Sequence, residues 1–224
     1  MKIALCLHGL VGSIKGKNHQ LLGGSDKVLN LSFKHNKEHI IDPYNADVFV
    51  HSWSTELEDQ ISDLYKPKNH LIEKQVQFKI PKYINSSYER SFAHLSRWYS
   101  YKKVIELMVN YSTDYDYVLV QRFDLVWNLT PDFYSLNPEK FYVGKPHILN
   151  GKFGLNPSKE WSDRWFISCP SDMIKFSTLF DKLSDYMGPK GGLPSNKQYA
   201  GISSHFLTKF HAKQLKLQEE FIYA

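Results

Sequence analysis

Arg122 and Asp124 stand two residues apart in the stretch YDYVLVQRFDLVW, Tyr115 to Trp127, just where an apolar run ends. In an extended chain residues i and i+2 share a face, so the cation and the carboxylate point the same way while Phe123 packs behind them. Such a pair can offer a guanidinium to a diphosphate and a carboxylate to a divalent metal ion or a ribose. It can equally be an ion pair that merely closes a strand. Two other polar clusters stand in similar places: His8-Gly9 closes the run Lys2 to Leu7, and His51-Ser52-Trp53 closes Ala46 to Val50. In open α/β sheets ligands bind beyond the carboxyl ends of parallel strands, where the loops diverge. The spacing therefore predicts that the strand ends near Leu7, Val50 and Val120 surround one cleft.

The elements that would position these residues follow from periodicity. Lys2 to Leu7 and Ala46 to His51 are short continuous apolar runs, the pattern of parallel strands covered on both faces. The loop to about Ser25 is rich in Gly, Ser and Lys, and Val76, Phe78 and Ile80 alternate as a half-buried third strand would. From Phe92 to Asn110 the period becomes helical, with Leu95, Trp98, Ile105 and Met108 on one face and Lys102 and Glu106 as an i,i+4 pair opposite. Trp98 and Tyr99 on such a helix are core residues more often than ligand contacts. Arg97 and Ser100 would lie near the helix start, where the dipole favours a phosphate. Strands at Phe141 to Val143 and Trp165 to Ser168 come later. A helix follows from Ser171 as N-cap to about Met187, then a Gly/Pro loop at Gly188 to Pro194 and a helix near Tyr199 to His211. Alternating strands and helices predict an α/β fold with a mixed, mainly parallel sheet flanked by helices, Rossmann-like in its N-terminal half.

The 224 residues, 42% hydrophobic and 15% aromatic, suit one domain with a full core. A formal charge of +5, with basic and acidic residues interleaved, suits a phosphate-bearing small molecule and shows no basic stripe for nucleic acid. Cys6 and Cys169 have no CxxC spacing and read as reduced thiols. No apolar run reaches the roughly 20 residues that span a bilayer, so the expectation is a cytoplasmic protein for which peripheral membrane contact stays open. His8-Gly9-Leu10-Val11-Gly12 looks like a hydrolase oxyanion loop, but no Gly-x-Ser-x-Gly elbow accompanies it. Gly9, Gly12, Gly16 and Lys17 miss the spacing of a phosphate loop.

The segments KIALCLHG, ADVFVHSW, SRWYSYKKVIELM and YDYVLVQRFDLVW, in that order, resemble the WavE-like nucleotide-sugar glycosyltransferases of bacterial and viral surface-polysaccharide loci. The similarity covers about the first 130 residues, with weaker echoes at SDRWFISCPSDM and SSHFL. The resemblance implies a GT-A-like fold with a donor-binding half at about 1–130 and an acceptor-binding half at about 131–224. Arg122-Phe123-Asp124 matches the Arg-x-Asp strand end that this group has where other GT-A transferases carry Asp-x-Asp, so the resemblance makes Asp124 the carboxylate for Mn2+ or Mg2+. It also implies transfer of a sugar from a nucleotide-sugar donor to a glycan or lipid-linked acceptor hydroxyl. His8, Gly9, His51, Arg97, Ser100, Arg122 and Asp124 are the expected donor contacts. From the residues themselves, Arg122 would offset the leaving diphosphate, Asp163 ahead of a late strand would serve as general base or acceptor ligand unless it is a surface pair with Arg164, and His205 would bind the metal or the leaving diphosphate. The alternative is a non-catalytic sugar or nucleotide-sugar binding module of the same fold.

Overall fold

The computed structural model describes residues 1–12, 25–80, 88–144, 160–188 and 203–222. The apolar run at the N-terminus forms β1 (Ile3–Gly9), buried from Ile3 to His8. Helix α1 (Ser25–Asn36) continues through a π-helical turn (Lys37–Ile41) into α2 (Asp42–Tyr44) and ends at left-handed Asn45, φ 47°. Then come β2 (Asp47–Ser52), α3 (Glu58–Tyr65), β3 (Asn69–Ile72), the 24-residue α4 (Tyr88–Tyr111) and β4 (Tyr117–Arg122). The later part supplies β5 (Phe141–Gly144), β6 (Trp165–Ser168), α5 (Pro170–Ser177), α6 (Leu179–Tyr186), α7 (Ser204–Gln214) and β7 (Glu219–Ile222).

The seven strands form one sheet in the order β3-β2-β1-β4-β6-β5-β7. β1 pairs in parallel with β2 and β4, β2 with β3, and β5 with β7, while β6 runs antiparallel to both β4 and β5. This is the mixed, mainly parallel sheet that the periodicity predicts, and β5, β6 and β7 extend it beyond residue 130. Because successive side chains alternate across a sheet, the strands bury two cores. Ala4, Cys6, Phe49, Val118 and Val120 meet Trp98, Tyr101, Val104, Ile105 and Met108 of α4 together with Met173, Phe176, Leu179 and Leu183. Leu5, Leu7, Val48, Val50 and Leu119 meet Leu29, Ile40, Ile61 and Tyr65 on the other face.

The third strand differs from expectation: it is Asn69–Ile72, whereas Val76, Phe78 and Ile80 lie in irregular chain. Phe78 and Ile80 still pack on the core, so alternation there reports one-sided burial without a pairing partner. The expected helix from Ser171 begins instead at Pro170 after Cys169 and breaks at Thr178, whose Oγ1 donates to the Lys175 carbonyl at 2.6 Å. Such back-bonding competes with the helical ladder. The last helix begins at Ser204, and the expected start near Tyr199, most of the Gly188–Pro194 loop and the Gly/Ser/Lys-rich loop from residue 13 to 24 lie outside the described residues. Among the described residues no helix is long and apolar enough to cross a membrane.

Candidate active site

The sheet register brings the three strand ends together. Phe49, Cys6 and Val120 form an apolar row facing α4, and two residues further His51, His8 and Arg122 form a polar row on the same face. Gly9 follows with φ 95°, a left-handed backbone that favours glycine. Its N–H donates to Ser100 Oγ at 2.9 Å.

Ser100 also lies 2.7 Å from His51 Nδ1, while His51 Nε2 lies 3.1 Å from Glu73 Oε1. One proton arrangement satisfies every group: Nε2–H donates to the carboxylate, and the Ser100 hydroxyl, having accepted from Gly9, donates to Nδ1. Burial pushes the His51 pKa down, only partly countered by Glu73, which suits that neutral ring. His51 and Ser100 are both fully buried, so they fix the turn at Gly9 from behind.

Arg97 lies one turn before Ser100 on α4. The helix starts at Tyr88, so Arg97 and Ser100 sit in its third and fourth turns, and the terminal dipole expected to favour phosphate there does not reach them. What Arg97 has instead is a partner distant in sequence. Its Nη1 donates to Asp163 Oδ2 and its Nη2 to the Asp163 carbonyl, while its buried Nε has no partner among the described residues.

Asp163 reaches this point because β6 is antiparallel to β4. Trp165 pairs with Gln121, so the chain just before β6 lies beside the carboxyl end of β4. Burial raises the Asp163 pKa, but Arg97, then His205 and Arg122, outweigh it and leave the carboxyl below the usual range. A carboxylate so held is ionised and anchors Arg97 through Oδ2, while Oδ1 faces His205. His205, at the start of α7, lies 2.8 Å through Nδ1 from the Trp161 carbonyl and 3.6 Å from Asp163 Oδ1.

Arg122 and Asp124 make a side-on pair, Nε to Oδ1 at 2.7 Å and Nη2 to Oδ2, with Phe123 fully buried behind them as expected. Each side chain is about one third exposed, 37% and 32%, and Arg122 Nη1 has no hydrogen-bond partner among the described residues. His8 is 2% exposed, set edge-on to Tyr101, with Nδ1 unpaired among the described residues. Burial, then the charges of Arg97 and Arg122, push its pKa well below the ordinary histidine value and keep it neutral.

The structure thus gathers His8, Arg97, Arg122, Asp124, Asp163 and His205 at one end of the sheet, with His51, Ser100 and Gly9 as its support. Trp98 is core, and Tyr99 stacks on Trp53 with centroids 5.5 Å apart. Sequence reading missed Glu73, which no motif marks, and it missed that Arg97 and Asp163 form a pair across 66 residues.

The divalent ion implied for Asp124 does not fit these residues. Both Asp124 oxygens accept from Arg122, whose positive charge opposes a cation at the same carboxylate. His205 faces Trp161 and Asp163, and among the described residues no three His, Cys, Asp or Glu side chains gather as a metal group.

No protein-family model and no curated protein matches the chain. The fold resembles a solved structure from Desulfovibrio desulfuricans G20, described as a candidate nucleotide-diphospho-sugar transferase. The match covers 99% of this chain and 79% of that one, with a TM-score of 0.51 and 11% sequence identity. At that identity the likeness is one of fold.

Proposed function

We propose that the protein is a GT-A-like nucleotide-diphospho-sugar transferase whose donor diphosphate lies against Arg122 and Arg97. The observation that supports this reading is the convergence of two guanidiniums, each with an N–H not used by its aspartate, beyond the carboxyl ends of adjacent parallel strands. The fold likeness to a candidate nucleotide-diphospho-sugar transferase points the same way. In the reaction an acceptor hydroxyl on a glycan or lipid-linked sugar forms a bond to the anomeric carbon. The bond from that carbon to the β-phosphate oxygen breaks, the nucleoside diphosphate leaves with the electron pair, and the hydroxyl proton passes to a base. The arginines act on the charge that develops on the leaving group, commonly the largest single contribution to such catalysis. In this reading Asp124 and Asp163 hold the two guanidiniums in place, while His51 and Ser100 fix the Gly9 turn.

One observation favours a second reading, a non-catalytic nucleotide-sugar binding module: Asp163 is committed to Arg97 and is a weak proton acceptor. Thermal unfolding against UDP-, GDP-, dTDP- and CMP-sugars tests both, because a ligand that binds only the folded state raises its stability. At least one diphosphate donor should raise the melting temperature more than the CMP monophosphate donor does, and that donor should be slowly hydrolysed. Stabilisation without any release of nucleotide selects the binding module. No stabilisation by any donor sinks both readings.

A further inference from the structure

We propose that Arg97 and Arg122 take the place of a divalent cation, so that this site binds a nucleoside diphosphate independently of metal. The inference rests on the nucleotide-sugar reading above and adds how the charge of the diphosphate is offset.

Three observations carry it. The first is the chemistry of the carboxylates. Asp124 and Asp163 are the acidic groups whose charge acts on the two guanidiniums, and each is already bonded to one of them. A Mn2+ or Mg2+ ion needs a carboxylate with an oxygen to give, and it would have to enter beside Arg122 at the same carboxylate.

The second is the supply of further carboxylates. Segments 13–24, 81–87, 145–159 and 189–202 together contain eight lysines and no aspartate or glutamate. Carboxylate ligands of a hard cation are therefore missing from these stretches by composition, whatever their position, and Glu89 at the start of α4 is the one acidic residue outside both these stretches and the described side chains.

The third is the set of donors left over. Arg97 bonds to Asp163 through both terminal nitrogens and keeps a buried Nε with no partner among the described residues. Arg122 spends Nε and Nη2 on Asp124 and keeps Nη1. A buried charged donor without a partner is costly, and phosphate oxygens satisfy such groups well. The two pairs lie within electrostatic reach of each other, since each arginine acts on the other's aspartate as well as its own. A guanidinium also stays protonated throughout the working range of pH, so it can serve as a permanent counter-charge.

The test is calorimetric titration of the metal-stripped full chain with UDP, GDP, CDP and dTDP, in excess EDTA and again with excess Mn2+ or Mg2+. The nucleotide that binds should do so with affinities that agree within about twofold in the two conditions. A gain of about tenfold or more on adding metal overturns the proposal but leaves the nucleotide-sugar reading intact. Failure of all four nucleotides to bind in either condition overturns both. In EDTA, Arg122→Gln should weaken binding by about tenfold or more, the scale of a charged hydrogen bond, while its melting temperature stays near that of the parent. Arg97→Lys keeps the charge that Asp163 needs but loses the planar fork, and should weaken binding in EDTA as well. Unchanged affinity in both folded variants overturns the proposal.

Discussion

Gln121 and Arg122 are neighbours in sequence and end in opposite kinds of polar site. On the α1 face, Gln121 is fully buried, donates to Asn36 Oδ1 at 2.7 Å and accepts from Trp127 Nε1 at 2.6 Å. Asn36 in turn donates to Ser32 Oγ and the Tyr65 hydroxyl, both at 3.2 Å. That network closes on itself. On the α4 face, Arg97 Nε and His8 Nδ1 are buried and have no partner among the described residues, and Arg122 is partly open to solvent. Buried polar groups in folded proteins are nearly always paired, so polar atoms that the protein itself leaves unpaired at strand ends mark a place where a polar ligand can bond. The two faces differ less in polarity than in completion.

The contrast can be broken most sharply at Asp163. Asp163→Asn leaves the Arg97 guanidinium buried without a counter-charge and should cost about 3 kcal/mol or more in urea unfolding, the scale for breaking a buried pair. It should also weaken nucleoside diphosphate binding along with turnover, since Arg97 loses its anchor. Loss of turnover alone, with donor binding intact, would restore Asp163 as the general base.

Gln121→Leu attacks the closed network and strands Asn36 and the Trp127 indole. The expected loss is about 2 kcal/mol, from two buried groups left unpaired, with nucleotide affinity unchanged. A change in affinity there would mean the two faces are coupled through β4.

Acid should act on the α4 side. His8, His51 and His211 all have pKa values pushed down, first by burial, and that of His211 reaches about 4. A histidine whose folded pKa lies below its unfolded value near 6.5 contributes stability that is complete above about pH 6.5 and is lost as pH falls toward the folded value. Melting temperature should therefore drop between about pH 6.5 and 4, and His211→Gln should flatten that slope by an amount worth about 1 kcal/mol or more. An unchanged slope would remove His211 as a contributor.

The smallest stability effect is expected at Arg122 and Asp124. Replacing either by Ala should cost less than about 1 kcal/mol, as for exposed pairs. Arg122→Ala should nevertheless lose nucleotide affinity by about tenfold or more. If stability and affinity move together, the pair is a structural closure and no more.

The strand ends were readable in advance because three apolar runs each stop at a polar cluster, and parallel pairing then sets those clusters in one row. Phe123 behind Arg122 and Asp124 follows from the same alternation. What could not be read was long-range. Nothing in SRWY or SDRW announces that Arg97 and Asp163 meet, because that depends on β6 entering the sheet antiparallel. Strand β3 was missed because Asn69-His70-Leu71-Ile72 has two apolar residues, while Val76, Phe78 and Ile80 make a stronger pattern without a neighbour to pair with. Helix α1 carries Leu29 in the core but Leu31 52% exposed, so its apolar residues do not fall on a single stripe.

Helix α4 also has a consequence for how cheaply the site can be filled. Arg97 and Ser100 are one turn apart on a rod about 36 Å long, and Ser100 is bolted to the ends of β1 and β2 through Gly9 and His51. The guanidinium is therefore carried on a part of the molecule that cannot shift without disturbing two strands and the core beneath them. Among the described residues the guanidinium is held by Asp163 and has little rotamer freedom left to remove, so that part of the entropic cost of capture is met during folding.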